Sequence, residues 1–220
     1  MPLTSRVVEP GHPEVSLRSS LVPAFAAAAL SFGTPASAAD STMWGGETAS
    51  EGGFHFEAGF PSLGFGYRIP VSDKFELMPN ARFHYMRWLA VNLGASVGVE
   101  GRLQLLDGDK LNGALTFSLP LQLIFGDGAI FAVGLLYPGY MLDYAVSDTM
   151  SMVFGLRIED DLFIGGGALF FATIPLIVGF EAEVEGLKLG FKIEGGPAFI
   201  TLGGSTFLSG EVRALFGIDI

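Results

Sequence analysis

The sequence predicts an all-β protein: a transmembrane antiparallel up-and-down β-barrel of about ten strands, with eight or twelve as alternatives. Three observations predict it. Apolar and polar residues alternate with a period of two through most of the chain. Short turn motifs interrupt that alternation at hairpin spacing. The composition is fatty and sparsely charged, with 50% hydrophobic and 16% charged residues and 31 glycines in 220 positions, against about 25% charged residues in an ordinary soluble domain.

The N-terminus reads as an export address. Arg6 and Arg18 precede an apolar run from Leu21 to Leu30, and Ala36-Ser37-Ala38 follows. A basic region, a short apolar stretch and a small-x-small site form the secretory pattern. The run is too short for a membrane helix, which needs about 20 residues. The competing reading is a buried helix followed by a loop. Residues 1–38 are therefore expected to be a signal peptide cleaved near Ala38, residues 39–53 a periplasmic or flexible N-terminal segment, and residues 54–220 the barrel.

The alternation is clearest from Val91 to Leu105. Val91, Leu93, Ala95, Val97, Val99, Leu103 and Leu105 fall on one face, and Asn92, Ser96, Glu100, Arg102 and Gln104 on the other. A strand separates these two sets and a helix mixes them. The same split recurs around Phe75–Tyr85, Leu111–Gln122, Leu187–Glu194 and Leu208–Ile220. Turn signals at 71–74, 107–110, 126–128, 146–149 and 185–186 lie between such runs. The expected strands are 54–60, 63–69, 75–86, 90–106, 111–125, 129–144, 150–159, 169–184, 187–201 and 207–220. Pro120 and Pro175 fall inside strands and remove ladder donors, so bulges are expected there. Pro138-Gly139 marks a kink or a misplaced turn.

Alternation alone does not say which face is wet. The apolar faces carry almost no charge, as a lipid-facing surface requires, because a basic residue at midplane costs about 2–4 kcal/mol. The other faces mix Gly and Ser with charges of both signs, which suits a crowded lumen. Aromatics gather near strand ends (Tyr85, Trp88, Phe125, Tyr137, Tyr140, Tyr144 and Phe207), as in an interfacial girdle. The rivals are a soluble periplasmic lipocalin-like carrier with its apolar face inward, and a helical span over the uncharged stretch Leu162–Phe180. The Gly165–Gly167 run and Pro175 oppose the helix.

On these residues, residues 54–220 resemble the small outer-membrane β-barrel family, OmpA-like or porin-like in the broad sense. The resemblance implies a bacterial outer-membrane location, outer-membrane lipid as surroundings, and the barrel-assembly machinery as a partner during biogenesis. It also implies a final strand that ends at the C-terminus. The family usually closes that strand with an aromatic residue; here it ends in Ile220, with Phe216 four positions earlier.

The lumen is expected to be lined by His55, Glu57, Arg68, Glu76, Arg82, His84, Asn92, Glu100, Arg102, Gln104, Arg157, Glu181, Glu183, Lys188, Lys192, Glu194, Glu211 and Arg213. Acids and bases nearly balance in this set, so ion pairs are expected. The acidic run Glu159-Asp160-Asp161 reads as an outer loop, either simply solvated or holding a divalent cation.

The net charge of −11 argues against nucleic acid. Without cysteine, thiol chemistry and disulfides are excluded. Ser62, Ser96 and Ser209 would be the serines to pair with His55 or His84 in a hydrolase, yet no catalytic motif surrounds them. No catalytic set, metal or cofactor is therefore expected, and the chain is read as not an enzyme. The expected role is structural or passive small-solute permeation through a lumen of paired charges. An outer-membrane lipid-modifying enzyme is the alternative, and a homo-oligomer or an envelope protein partner is left open.

Overall fold

The computed structural model describes residues 43–85, 93–125, 129–164, 169–202 and 205–220. Every regular element among them is a β-strand: β1 (Gly53–Phe60), β2 (Ser62–Ser72), β3 (Phe75–His84), β4 (Leu93–Leu106), β5 (Leu111–Phe125), β6 (Ala129–Gly134), β7 (Gly139–Ser147), β8 (Met150–Arg157), β9 (Glu159–Ile164), β10 (Leu169–Thr173), β11 (Leu176–Val184), β12 (Leu187–Leu202) and β13 (Ser205–Asp219). All pairings are antiparallel and form one sheet.

The thirteen strands make ten staves. β5 pairs with β6 through Leu121–Phe125 and with β7 through Leu111–Thr116, so β6 and β7 are two parts of one stave. β8 and β9 are likewise one stave, and β10 and β11 another, both of the latter pairing with β12. β1 pairs with β13, with Phe54 and Ile220 exchanging backbone bonds of 2.9 Å, and the ring closes. Closure removes the open edges that a membrane cannot satisfy.

The breaks have identifiable causes. Pro138 separates β6 from β7, and Pro175 separates β10 from β11. At the first break the register shifts by one residue. Leu135 and Leu136 both point outward there, and Tyr137 turns inward. This is a bulge, with one extra residue on one stave. At Pro175 the register with β12 is unchanged on either side, so only local bonds are lost. Backbone groups at the breaks are still satisfied: Tyr137 N donates to Ser118 O at 2.8 Å, Ile158 N to Pro138 O at 2.8 Å and Ile174 N to Pro197 O at 3.1 Å. Pro120, by contrast, sits in β5 opposite Gly98 without a register shift to β4.

The two faces are sorted by solvent type. Val97, Leu121 and Phe65 are each 57% exposed on the outside, whereas Glu194 and Asp143 are 1% exposed within. This is the inverse of a soluble barrel, and it overturns the lipocalin-like alternative: outward leucine and phenylalanine need hydrocarbon around them. The helical alternative fails too, because Leu162–Ile164, Leu169–Thr173 and Leu176–Phe180 are strand. No helix among the described residues is long and apolar enough to cross a membrane, which leaves strands unaffected.

Two further expectations are corrected. Glu159–Asp161 is no loop; it opens β9, with Glu159 and Asp161 buried in the lumen and Asp160 on the outer face. The stave runs on to Ile164 because its alternation survives the acidic run. Tyr137 is not in a girdle, because the bulge turns it into the lumen. Phe125, Tyr140, Tyr144 and Phe207 do point outward. Trp88, Gly165–Gly167 and the residues up to Ala38 lie outside the described residues.

Candidate functional site

The lumen is the site to consider, and it is built in three tiers. At the end where β1 begins and β13 finishes, residues 43–49 lie inside the ring. In the middle is a network of charges. At the opposite end, Ile124, Ala132, Phe163, Phe171 and Ala198 form an apolar cluster with Ile200 packed against it.

Within the N-terminal segment 39–53, residues 43–49 are buried or half-buried and residues 50–52 are exposed. Met43 N and Trp44 N donate to the two oxygens of Glu181, each at 2.6 Å. Gly46 N and Glu47 N donate to Asp143 Oδ1, the latter at 3.1 Å. Thr48 N donates to Gln104 Oε1 at 3.3 Å, and Ala49 N to Glu76 Oε2 at 2.6 Å. Arg102 donates to the carbonyls of Met43 at 2.7 Å and Glu47 at 3.0 Å. The Met43 side chain packs with Met141, Val153 and Ile177. The Trp44 indole sits against Gly190 and Gly217, where side chains would occupy its place. Its Nε1 donates to Glu57 at 2.8 Å, and the Lys192 ammonium lies 4.5 Å from its ring centroid.

The middle tier is one connected network. Asp219 joins His55 at 2.5 Å and Arg68 at 2.7 Å. Arg68 reaches Glu76 at 2.9 Å. Glu57 holds Lys192 at 3.0 Å and Arg82 at 3.3 Å, and Arg82 continues to Glu100 at 2.8 Å. Lys192 passes to Glu194 at 3.0 Å, Glu194 to Arg157 at 3.0 Å and Arg157 to Glu159 at 2.8 Å. Arg213 closes the run between Glu159 at 2.5 Å and Glu211 at 2.7 Å. Charges taken out of water hold together only when so paired.

All but one of the lumen residues read from the sequence are among the described residues. His55, Glu57, Arg68, Glu76, Gln104, Glu181, Lys192 and Glu194 are buried within; Arg82, His84, Glu100, Arg102, Arg157, Glu211 and Arg213 are half-buried there. Glu183 and Lys188 face each other in register beside the tight turn at Glu185-Gly186. Asn92 lies outside the described residues. Sequence reasoning missed Trp44, Tyr137, Asp143 and Asp161, whereas Asn112 and Gln122, buried in the lumen, were on the polar face by alternation though not among the expected lumen residues. Tyr137 donates to Asp161, which also accepts from Gln122 at 2.5 Å. Asp143 would have been found by letting the alternation slip by one residue at Leu135-Leu136.

Among the serine and histidine candidates the structure joins His84 to Ser96, with His84 Nε2 3.1 Å from Ser96 Oγ. Ser62 is opposite His84 in register. Ser209 is on β13 opposite Ala198, and His55 is committed to Asp219. Among the described residues no cluster suits a metal ion.

No protein-family model matches the chain, and no curated protein does. Among solved structures it is similar to the outer membrane protease OmpT from Escherichia coli, with 7% identity over 76% of this chain and 90% of that one, at a TM-score of 0.36. So distant a likeness carries no argument about chemistry. It does correct one expectation. The chain was read as not an enzyme, and that exclusion does not stand when a structural neighbour is a protease.

Proposed function

We propose that this chain is a bacterial outer-membrane barrel protein with a structural role, its lumen closed to passive solute flow. One observation carries the reading: all three tiers of the lumen are filled. An eight-stranded barrel has an interior just wide enough for side chains. Ten staves leave extra room, and residues 43–49 take it up. Among the described residues the remaining space includes two small cavities, one of about 60 Å³ bordered by Glu57, Arg82, His84, Glu194 and Arg213, and one of about 40 Å³ bordered by Glu76, Glu100, Arg102 and Tyr137. That is room for a few waters.

Passive small-solute permeation is the second reading, favoured by the charged lining. It requires a path past both Trp44 and the Phe163–Phe171 cluster. Planar-bilayer recording of the processed chain separates the two. Electrical silence is expected, and reproducible unit steps overturn the closed-barrel reading. Export with cleavage near Ala38 belongs to the same proposal. N-terminal sequencing of the membrane-extracted protein is expected to begin at Ala39.

A further inference from the structure

We propose that the terminal end of the lumen is a peptide-binding slot, filled here by the chain's own residues 43–49 and able to take that same segment from a second molecule. The inference rests on the closed-barrel reading for its setting, but it is tested separately.

The first support is topological. Residues 43–50 belong to no strand, and the ring closes through β1 and β13 without them. Occupancy of the slot is therefore separable from integrity of the wall. The segment is held by side chains, as a ligand is.

The second support is the chemistry of those side chains. Six backbone N–H groups, those of Met43, Trp44, Gly46, Glu47, Thr48 and Ala49, are received by Glu181, Asp143, Gln104 and Glu76. Emptying the slot would take these donors away from three buried carboxylates, which is costly in a low-dielectric interior. Arg102 adds the complementary recognition, donating to two carbonyls of the segment. A wall with acceptors strung along its length and one fork of donors matches the polarity of an extended main chain, and neither a sugar nor an apolar molecule supplies that row of N–H groups.

The third support is shape. Gly190 and Gly217 on neighbouring staves leave the space in which the Trp44 ring rests. At Gly46 a Cβ would fall on the backbone of Gly113, so this position accepts glycine alone. The slot thus reads an aromatic residue and then, two positions later, a residue without a side chain. These are sequence requirements laid over the main-chain contacts.

The experiment uses the full processed chain carrying Gly46→Val, which expels the tethered segment and leaves the wall untouched. A fluorescein-labelled peptide of sequence Met-Trp-Gly-Gly-Glu-Thr-Ala is titrated and its anisotropy read. The variant is expected to bind saturably. The wild-type chain is expected to bind roughly tenfold or more weakly, because its own segment competes at a millimolar effective concentration. The same peptide with Val at its second Gly is expected not to bind. A variant whose unheated gel mobility shows a folded barrel, yet which ignores the peptide up to about 1 mM, overturns the proposal. Equal binding by variant and wild type also overturns it.

If Gly46→Val does not fold, the Trp88→Phe chain, with Trp44 as its one tryptophan, supplies the test. Acrylamide quenching of Trp44 is expected to rise as a peptide bearing non-fluorescent 4-fluorotryptophan displaces the tethered segment. Quenching that stays flat refutes the slot. Wild-type conductance is not read in either assay, so a failure here is distinct from a failure of the closed-barrel reading.

Discussion

His55 Nδ1 lies 2.5 Å from Asp219 Oδ1, across the seam where the first and last strands of the ring meet. The two residues are also register partners in β1 and β13. Asp219 binds Arg68 with its other oxygen at 2.7 Å, so one carboxylate ties three staves together.

Asp219→Ala takes a partner from two buried groups at once. Breaking a buried pair from one side costs about 3–5 kcal/mol. Guanidinium unfolding in detergent is expected to show a loss of that size. An unchanged midpoint would mean that the seam owes nothing to this carboxylate.

Glu194 touches Lys192 and Arg157 at 3.0 Å each and Arg213 at 3.5 Å. Glu194→Ala takes one partner from each of three cations, which keep Glu57, Glu159 and Glu211, and is expected to destabilise by up to about 3–5 kcal/mol. Ile193→Ala, one residue earlier and facing outward, is expected to cost a fraction of that in the same assay.

Val97 tests the surroundings of the outer face. Val97→Arg places a charge on a surface that is 57% exposed in the isolated chain. Unfolding from lipid vesicles is expected to show a loss of about 2–4 kcal/mol, whereas a barrel bathed in water would tolerate the change. Equal stability of Val97→Arg and wild type in vesicles would remove the membrane from the account.

Asp160 is the exception on that face. Ile158 and Leu162 flank it along the stave, Ala172 is opposite in register, and its Oδ1 is buried without a hydrogen-bond partner. Asp160→Leu is expected to raise stability in vesicles by up to about 2 kcal/mol. A loss of stability would show that this carboxylate has a partner in the membrane.

The staves were legible because a strand repeats every two residues and a barrel sorts those residues by solvent. Val97 beside Ser96 already carries that information. Glu57, Arg82 and Lys192 could be assigned inward for the same reason, although which acid meets which base depends on register, and register is set by pairing between distant strands. Periodicity was blind to three things. The bulge at Leu135–Leu136 breaks phase within one stave, so Tyr137 and Asp143 changed sides. The charges of Glu159–Asp161 imitate a loop, although their alternation continues. Residues 43–49 have no period at all, since their conformation is imposed by Glu181, Asp143 and Arg102 from far along the chain.

The cradle around Trp44 has a consequence for the order of events in biogenesis. Its sides come from Glu181, Gly190 and Gly217, and Gly217 belongs to β13, the last strand of the ring. The indole has nowhere to rest until the C-terminal hairpin has arrived. A segment that precedes every strand of the ring is therefore among the last parts to settle.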